Sequence, residues 1–97
     1  MLTGKQRAYL RKLAHPLDAV LQIGKQNVTP EVVAAADEAL EARELIKVSV
    51  LDSCENSPKE VAEILRGRTR SECVQVIGKK IVLYRRAKGA QVVKLQA

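Results

Sequence analysis

The stretch Leu21-Gln22-Ile23-Gly24-Lys25-Gln26-Asn27-Val28-Thr29-Pro30-Glu31 decides how the chain is read. An apolar run from Ala19 to Ile23 stops at Gly24. Shortly after it, Thr29 offers a helix N-cap, and Pro30 suits the first helical position, where no backbone N–H is needed. A strand, a lysine-bearing loop and a helix start therefore follow one another. The first amides of such a helix lack internal partners and stand at the positive end of its dipole. An anion against the loop would meet them together with Lys25. Taken alone, Gly24-Lys25 is a turn with a solvated charge, and its weight comes from the rest of the chain.

Downstream, Val32, Val33, Ala36, Ala39 and Leu40 recur at helical spacing, so a helix is expected from Pro30 to about Arg43. Its outer side carries Asp37, Glu38, Glu41 and Glu44, which would repel a phosphate backbone and direct it to the helix N-terminus. Upstream, Thr3 and Gln6 have capping-box spacing, and Leu2, Tyr9, Leu10 and Leu13 form a helical stripe as far as Ala14. The opposite face holds Lys5, Arg7, Arg11 and Lys12. His15-Pro16 ends this helix, because a residue before proline is pushed out of the helical region.

Leu45 to Leu51 alternates, with Ile46, Val48 and Val50 on one face and Lys47 and Ser49 on the other, as in a half-buried strand. After a polar loop, Ser57-Pro58-Lys59-Glu60 combines an N-cap, an early proline and a capping-box glutamate, with Val61, Ala62, Ile64 and Leu65 as the buried stripe behind it. Cys73–Ile77 and Ile81–Arg85 read as strands joined by a two-residue turn at Gly78-Lys79. That register puts Val74, Val76, Ile81 and Leu83 on one face. The expected fold is α/β, in the order α-β-α-β-α-β-β. It has one mixed four-stranded sheet covered by helices, the first two strands parallel and the last two antiparallel. One domain over residues 1–86 is expected, followed by a frayed tail, 87–97, in which 91–95 could add to an edge.

Ninety-seven residues allow one core. The chain has no Phe or Trp and only two tyrosines, Tyr9 and Tyr84, so the core must be aliphatic. The net charge of +6 is segregated: residues 1–30 carry +4, residues 31–63 carry −6 and residues 64–97 carry +8. Two basic ends that meet in the fold would form the electrostatic footprint of a nucleic-acid binder. No run is long and apolar enough for a membrane span, and the N-terminus lacks the apolar centre of a secretory signal, so a cytoplasmic protein is expected. Cys54 and Cys73 lack metal-site spacing and read as reduced thiols.

Catalysis finds little support. His15 is the single histidine, and no nucleophile stands near it in an elbow motif. Gly24-Lys25 lacks the upstream glycine and the following Ser/Thr of a P-loop. The scarcity of aromatics argues against reading single strands by base stacking and favours holding a sugar-phosphate backbone or a folded shape. KH domains do this with a Gly-x-x-Gly loop between secondary elements.

Several blocks carry a family resemblance. Leu13-Ala14-His15-Pro16-Leu17, Ile23 to Thr29, Glu44-Leu45-Ile46-Lys47-Val48, Val76-Ile77-Gly78-Lys79 and Val82-Leu83-Tyr84-Arg85 together resemble the YhbY family. These are bacterial single-domain forms of the CRM module of chloroplast RNA splicing and ribosome maturation. The resemblance spans about residues 2–86. It implies an RNA-binding fold similar to the C-terminal domain of translation initiation factor three, acting on precursors of the large ribosomal subunit. The family's Gly-x-x-Gly loop falls on Gly24, Lys25, Gln26 and Asn27. Asn27 departs from that pattern: it tolerates positive φ, but places a side chain where a backbone would approach most closely.

The expected RNA-binding set is Gly24, Lys25, Gln26 and Asn27 with Lys5, Arg7, Arg11, Lys12, Lys79, Lys80, Arg85 and Arg86. The expected partner is ribosomal RNA or a pre-ribosomal particle, bound by a non-catalytic monomer with no cofactor, metal, membrane or small-molecule substrate. The alternative is an adaptor whose acidic second-helix face docks a basic ribosomal protein.

Overall fold

The computed structural model describes residues 2–88. Its elements are α1 (Gly4–Ala14), β1 (Ala19–Ile23), α2 (Pro30–Arg43), β2 (Leu45–Val50), α3 (Pro58–Thr69), β3 (Glu72–Ile77) and β4 (Lys80–Tyr84). The capping signals act as expected, although His15 ahead of Pro16 stays in the right-handed helical region (φ −50, ψ −48) with its N–H on Arg11 O. Thr3 with Gln6 and Ser57 with Glu60 form complete capping boxes, and Thr29 caps α2 ahead of Pro30. Gly78 has φ +56 at the first central position of the hairpin turn, a conformation that glycine adopts without strain.

The sheet order is β1-β2-β4-β3, with β1 parallel to β2 and the other pairs antiparallel. Helices α2 and α3 cover one face. There Ala36, Leu40, Val61, Ala62 and Leu65 pack on Ile23, Ile46, Val48, Val50, Ile81 and Leu83. Helix α1 lies alone on the other face, with Leu10 and Ala14 against Leu45, Val74, Val82 and Tyr84. Burial of the Val, Leu and Ile side chains stabilises by about 1.5–3 kcal/mol each.

Three expectations change. Val74 does not share a face with Ile81 and Leu83. A bulge between Cys73 and Gln75 turns it to the α1 side, where it meets Val82. Tyr9 and Leu13 are exposed, because a single helix on an open face buries only the narrow line of Leu10 and Ala14. Glu44 is not on the outer side of α2. It is fully buried with φ 64; its carbonyl accepts from Arg85 N (2.9 Å) and its carboxylate from Ala87 N (2.6 Å). Lys88 N donates to Glu41 (2.6 Å), so the chain stays anchored to α2 past the expected boundary at residue 86. The proposed edge segment 91–95 lies outside the described residues.

Candidate nucleic-acid interface

The loop from Gly24 to Asn27 is a closed turn in which Asn27 N donates to Gly24 O at 2.9 Å. Asn27 has φ 62, the left-handed conformation that asparagine accepts better than other side chains. Its Oδ1 accepts from Val28 N (2.9 Å) and from the Cys54 thiol (3.6 Å). The loop rests on the segment after β2, where Leu51 N donates to Ile23 O at 2.8 Å. A Cβ on Gly24 would stand 3.2 Å from Ser53 Oγ and 3.4 Å from Leu51 Cδ1, so a side chain there would require these neighbouring side chains to give by a few tenths of an ångström.

This wiring limits how an anion could be held. Val28 N is taken by Asn27, Val32 N by Thr29 Oγ1 (3.2 Å) and Val33 N by Thr29 O (3.0 Å), and Pro30 has no amide hydrogen. Glu31 in the first turn already answers the dipole. The amide contribution expected at this helix start is thus largely satisfied internally, and the loop's positive charge resides in the exposed side chain of Lys25, beside exposed Gln26.

Strand register decides which other cations join it. Ile23 pairs with Val50, Val50 N donates to Lys79 O (2.8 Å) and Ser49 pairs with Lys80. The loop after β1, the loop after β2 and the β3–β4 hairpin therefore meet at one end of the sheet. Lys25, Lys79 and Lys80 are exposed there. Lys79 forms an ion pair with exposed Asp52, and Lys80 Nζ donates to Ser49 Oγ at 3.1 Å. On α1, Lys5, Arg11 and Lys12 are exposed.

Two arginines of the expected set are committed elsewhere. Arg7 donates to Cys73 O (2.7 Å) and pairs with Glu72 (3.3 Å), covering the outer edge of β3. Arg85, 20% exposed, donates to Asp37 Oδ1 (2.6 Å), Asp37 O (3.1 Å), Thr69 O (2.8 Å) and Glu41 Oε2 (3.4 Å). It clamps α2 to the end of α3. Arg86 beside it is exposed. The same contacts alter the acidic face expected for an adaptor: Glu44 is buried, and Asp37 and Glu41 hold Arg85 while their side chains stay 46% and 41% exposed, beside exposed Glu38. No cluster that could hold a metal ion and no helix long and apolar enough to cross a membrane occurs among the described residues.

The model of the CRS1/YhbY (CRM) domain matches residues 2–85. The chain belongs to this family. It is similar to the probable RNA-binding protein YqeI of Bacillus subtilis, with 50% identity over 95 residues, covering 98% of this chain and 99% of that protein. An RNA-binding protein of Haemophilus influenzae is 34% identical over 91 residues, 94% of this chain and 92% of its own length. The solution structure of the hypothetical protein SAV1595 from Staphylococcus aureus superposes with a TM-score of 0.83 at 50% identity, covering 99% of this chain and all of that one. The fold of this CRM domain is the α-β-α-β-α-β-β arrangement expected from the successive segments of the sequence. In this CRM domain the loop position occupied by Asn27 is held by its own side-chain hydrogen bond.

Proposed function

We propose that this CRM-domain protein binds RNA through the end of the sheet that carries the Gly24–Asn27 loop, and that it acts on precursors of the large ribosomal subunit. The observation that carries the reading is the placement of Lys25 on a rigid turn at the same end as Lys79 and Lys80, while Arg7 and Arg85 are neutralised away from it. The names of its relatives support RNA as the ligand. The contacts are to phosphate and come from Lys25, Lys79, Lys80, Arg11 and Lys12, with Lys5 and Arg86 on the periphery. The protein works as a cytoplasmic monomer without chemistry of its own.

Neutralising phosphates releases counterions, so affinity falls steeply with salt, by about 0.7 to 0.9 logarithmic units per phosphate contact. A filter-binding titration across ionic strength tests this, and a flat profile would reject the electrostatic grip. Crosslinking in cells followed by sequencing of the attached RNA tests the ribosomal assignment. Recovery of large-subunit precursor RNA is the expected result, and its absence would reject that assignment.

A further inference from the structure

Helix α1 does not cover the loop-side part of its sheet face, where Gln22 and Lys80 are exposed and Ser49 between them is buried. Register places Gln22, Ser49 and Lys80 on that face beyond Leu10 and Ala14. Between the last turns of α1 and the strands lies an open cleft of about 400 Å³, bordered by Arg11, Lys12, Lys47, Gln75, Ile77 and Val82. That volume falls within the range of clefts that hold small ligands, about 300–1,000 Å³.

Four features give the cleft a chemical identity. Its floor is aliphatic, made by buried Val82 and by Ile77, which is 57% exposed. Its rim is cationic, and no carboxylate borders it. Lys47 stands on β2, an inner strand, where lysine is a poor choice for packing. Lys47 Nζ donates to His15 O at 3.2 Å, which leaves donor capacity on the ammonium. Lastly, the bulge that turns Val74 to the α1 side also sets Gln75 opposite Val82, with no side-chain partner for the Gln75 amide among the described residues.

An apolar floor presented mainly by Ile77, an amide with no side-chain partner among the described residues and surrounding cations match a heterocycle with a polar edge and an attached phosphate. Resting on the RNA-binding reading above, we propose that this cleft receives one unpaired nucleotide of the bound RNA. The base lies over Ile77 and Val82, Gln75 meets its polar edge, and Lys47, Arg11 and Lys12 hold the adjoining phosphates. Lys80, bonded to Ser49, continues the path towards Lys79 and Lys25. A base inside a duplex is stacked and has its edge occupied, so the cleft selects RNA with a bulged or single-stranded position.

The test uses two hairpin RNAs of equal length, one fully paired in its stem and one with a single bulged 4-thiouridine. Fluorescence anisotropy should show about tenfold tighter binding of the bulged RNA. Lys47→Gln and Gln75→Ala should each shrink that preference to about twofold or less. Lys12→Gln, on the exposed surface of α1, repeats the test should Lys47→Gln unfold. Irradiation should join the thiouridine to the segment from Gln75 to Val82. Equal affinity for the two hairpins, or crosslinks confined to residues 24–27, would overturn this inference and leave the RNA-binding reading standing. Displacement of the bulged RNA by polyglutamate of equal charge as readily as by the RNA itself would assign the cleft to an acidic protein segment and reject the nucleotide. Failure to bind either RNA at moderate salt would reject both readings.

Discussion

The two ends of the sheet treat positive charge in opposite ways. At the end where β4 finishes, Arg85 is locked among Asp37, Glu41 and Thr69, Arg7 is drawn onto Glu72 and the Cys73 carbonyl, and buried Glu44 receives the chain after β4. At the loop end, Lys25 stands exposed on its turn, and Lys79 and Lys80 are exposed at the hairpin. Arg7 and Arg85 use their several donors in a fixed fork as cross-links between elements, whereas Lys25 faces solvent and Lys79 and Lys80 make single contacts to Asp52 and Ser49. A count of basic residues in the sequence therefore overstates the charge available to a ligand, because part of it serves folding.

Substitutions at the two ends should separate stability from binding. The largest effect is expected from Arg85→Ala, which leaves the Thr69 carbonyl without its donor and returns Asp37 and Glu41 to water. Urea denaturation should show a loss of about 2 kcal/mol, the exposed carboxylates contributing less than a buried pair would. A loss below about 1 kcal/mol would mean that the clamp is replaceable by solvent. Next, Asn27→Ala keeps positive φ without the side-chain acceptor for Val28 N, and a loss of about 1–2 kcal/mol is expected in the same assay. Asn27→Gly should restore part of it, since glycine carries no penalty at φ 62 but likewise lacks the acceptor for Val28 N.

Lys25→Ala should sit at the other pole. Stability should stay within about 0.5 kcal/mol, while the salt dependence of RNA binding flattens by about one logarithmic unit. Unchanged salt dependence would remove Lys25 from the interface. The smallest effect concerns Tyr84, whose phenol is pushed above its ordinary value, first by burial and then by the charge of Glu44. A raised folded value means that the protonated phenol is favoured in the folded state. Its contribution is complete below the unfolded value of about 10 and is lost as pH rises through the folded one. Thermal midpoints above pH 10 should fall more steeply for the native protein than for Tyr84→Phe.

Most of the helix and strand pattern could be read because its causes are local. Thr3, Thr29 and Ser57 cap the amides a few residues ahead of them, and Ile46, Val48 and Val50 alternate as a two-residue period requires. Lys25 could be singled out because Thr29-Pro30 marks the helix start that it precedes. Asn27 was legible as a residue that tolerates positive φ. Its contact with Cys54 was not, since that partner arrives from a loop 27 positions away.

The chain alone thus determined the order of elements, the turn that carries Lys25 and the aliphatic make-up of the core, all consequences of short-range backbone preference and hydrophobic spacing. Tertiary structure decided which charges are spent. A bulge in β3 moved Val74 and set Gln75 beside a cleft, and the return of the chain past α2 buried Glu44 and consumed Arg85. Whether a given arginine or glutamate meets water or an opposite charge depends on residues distant in sequence, and neither periodicity nor composition encodes that meeting.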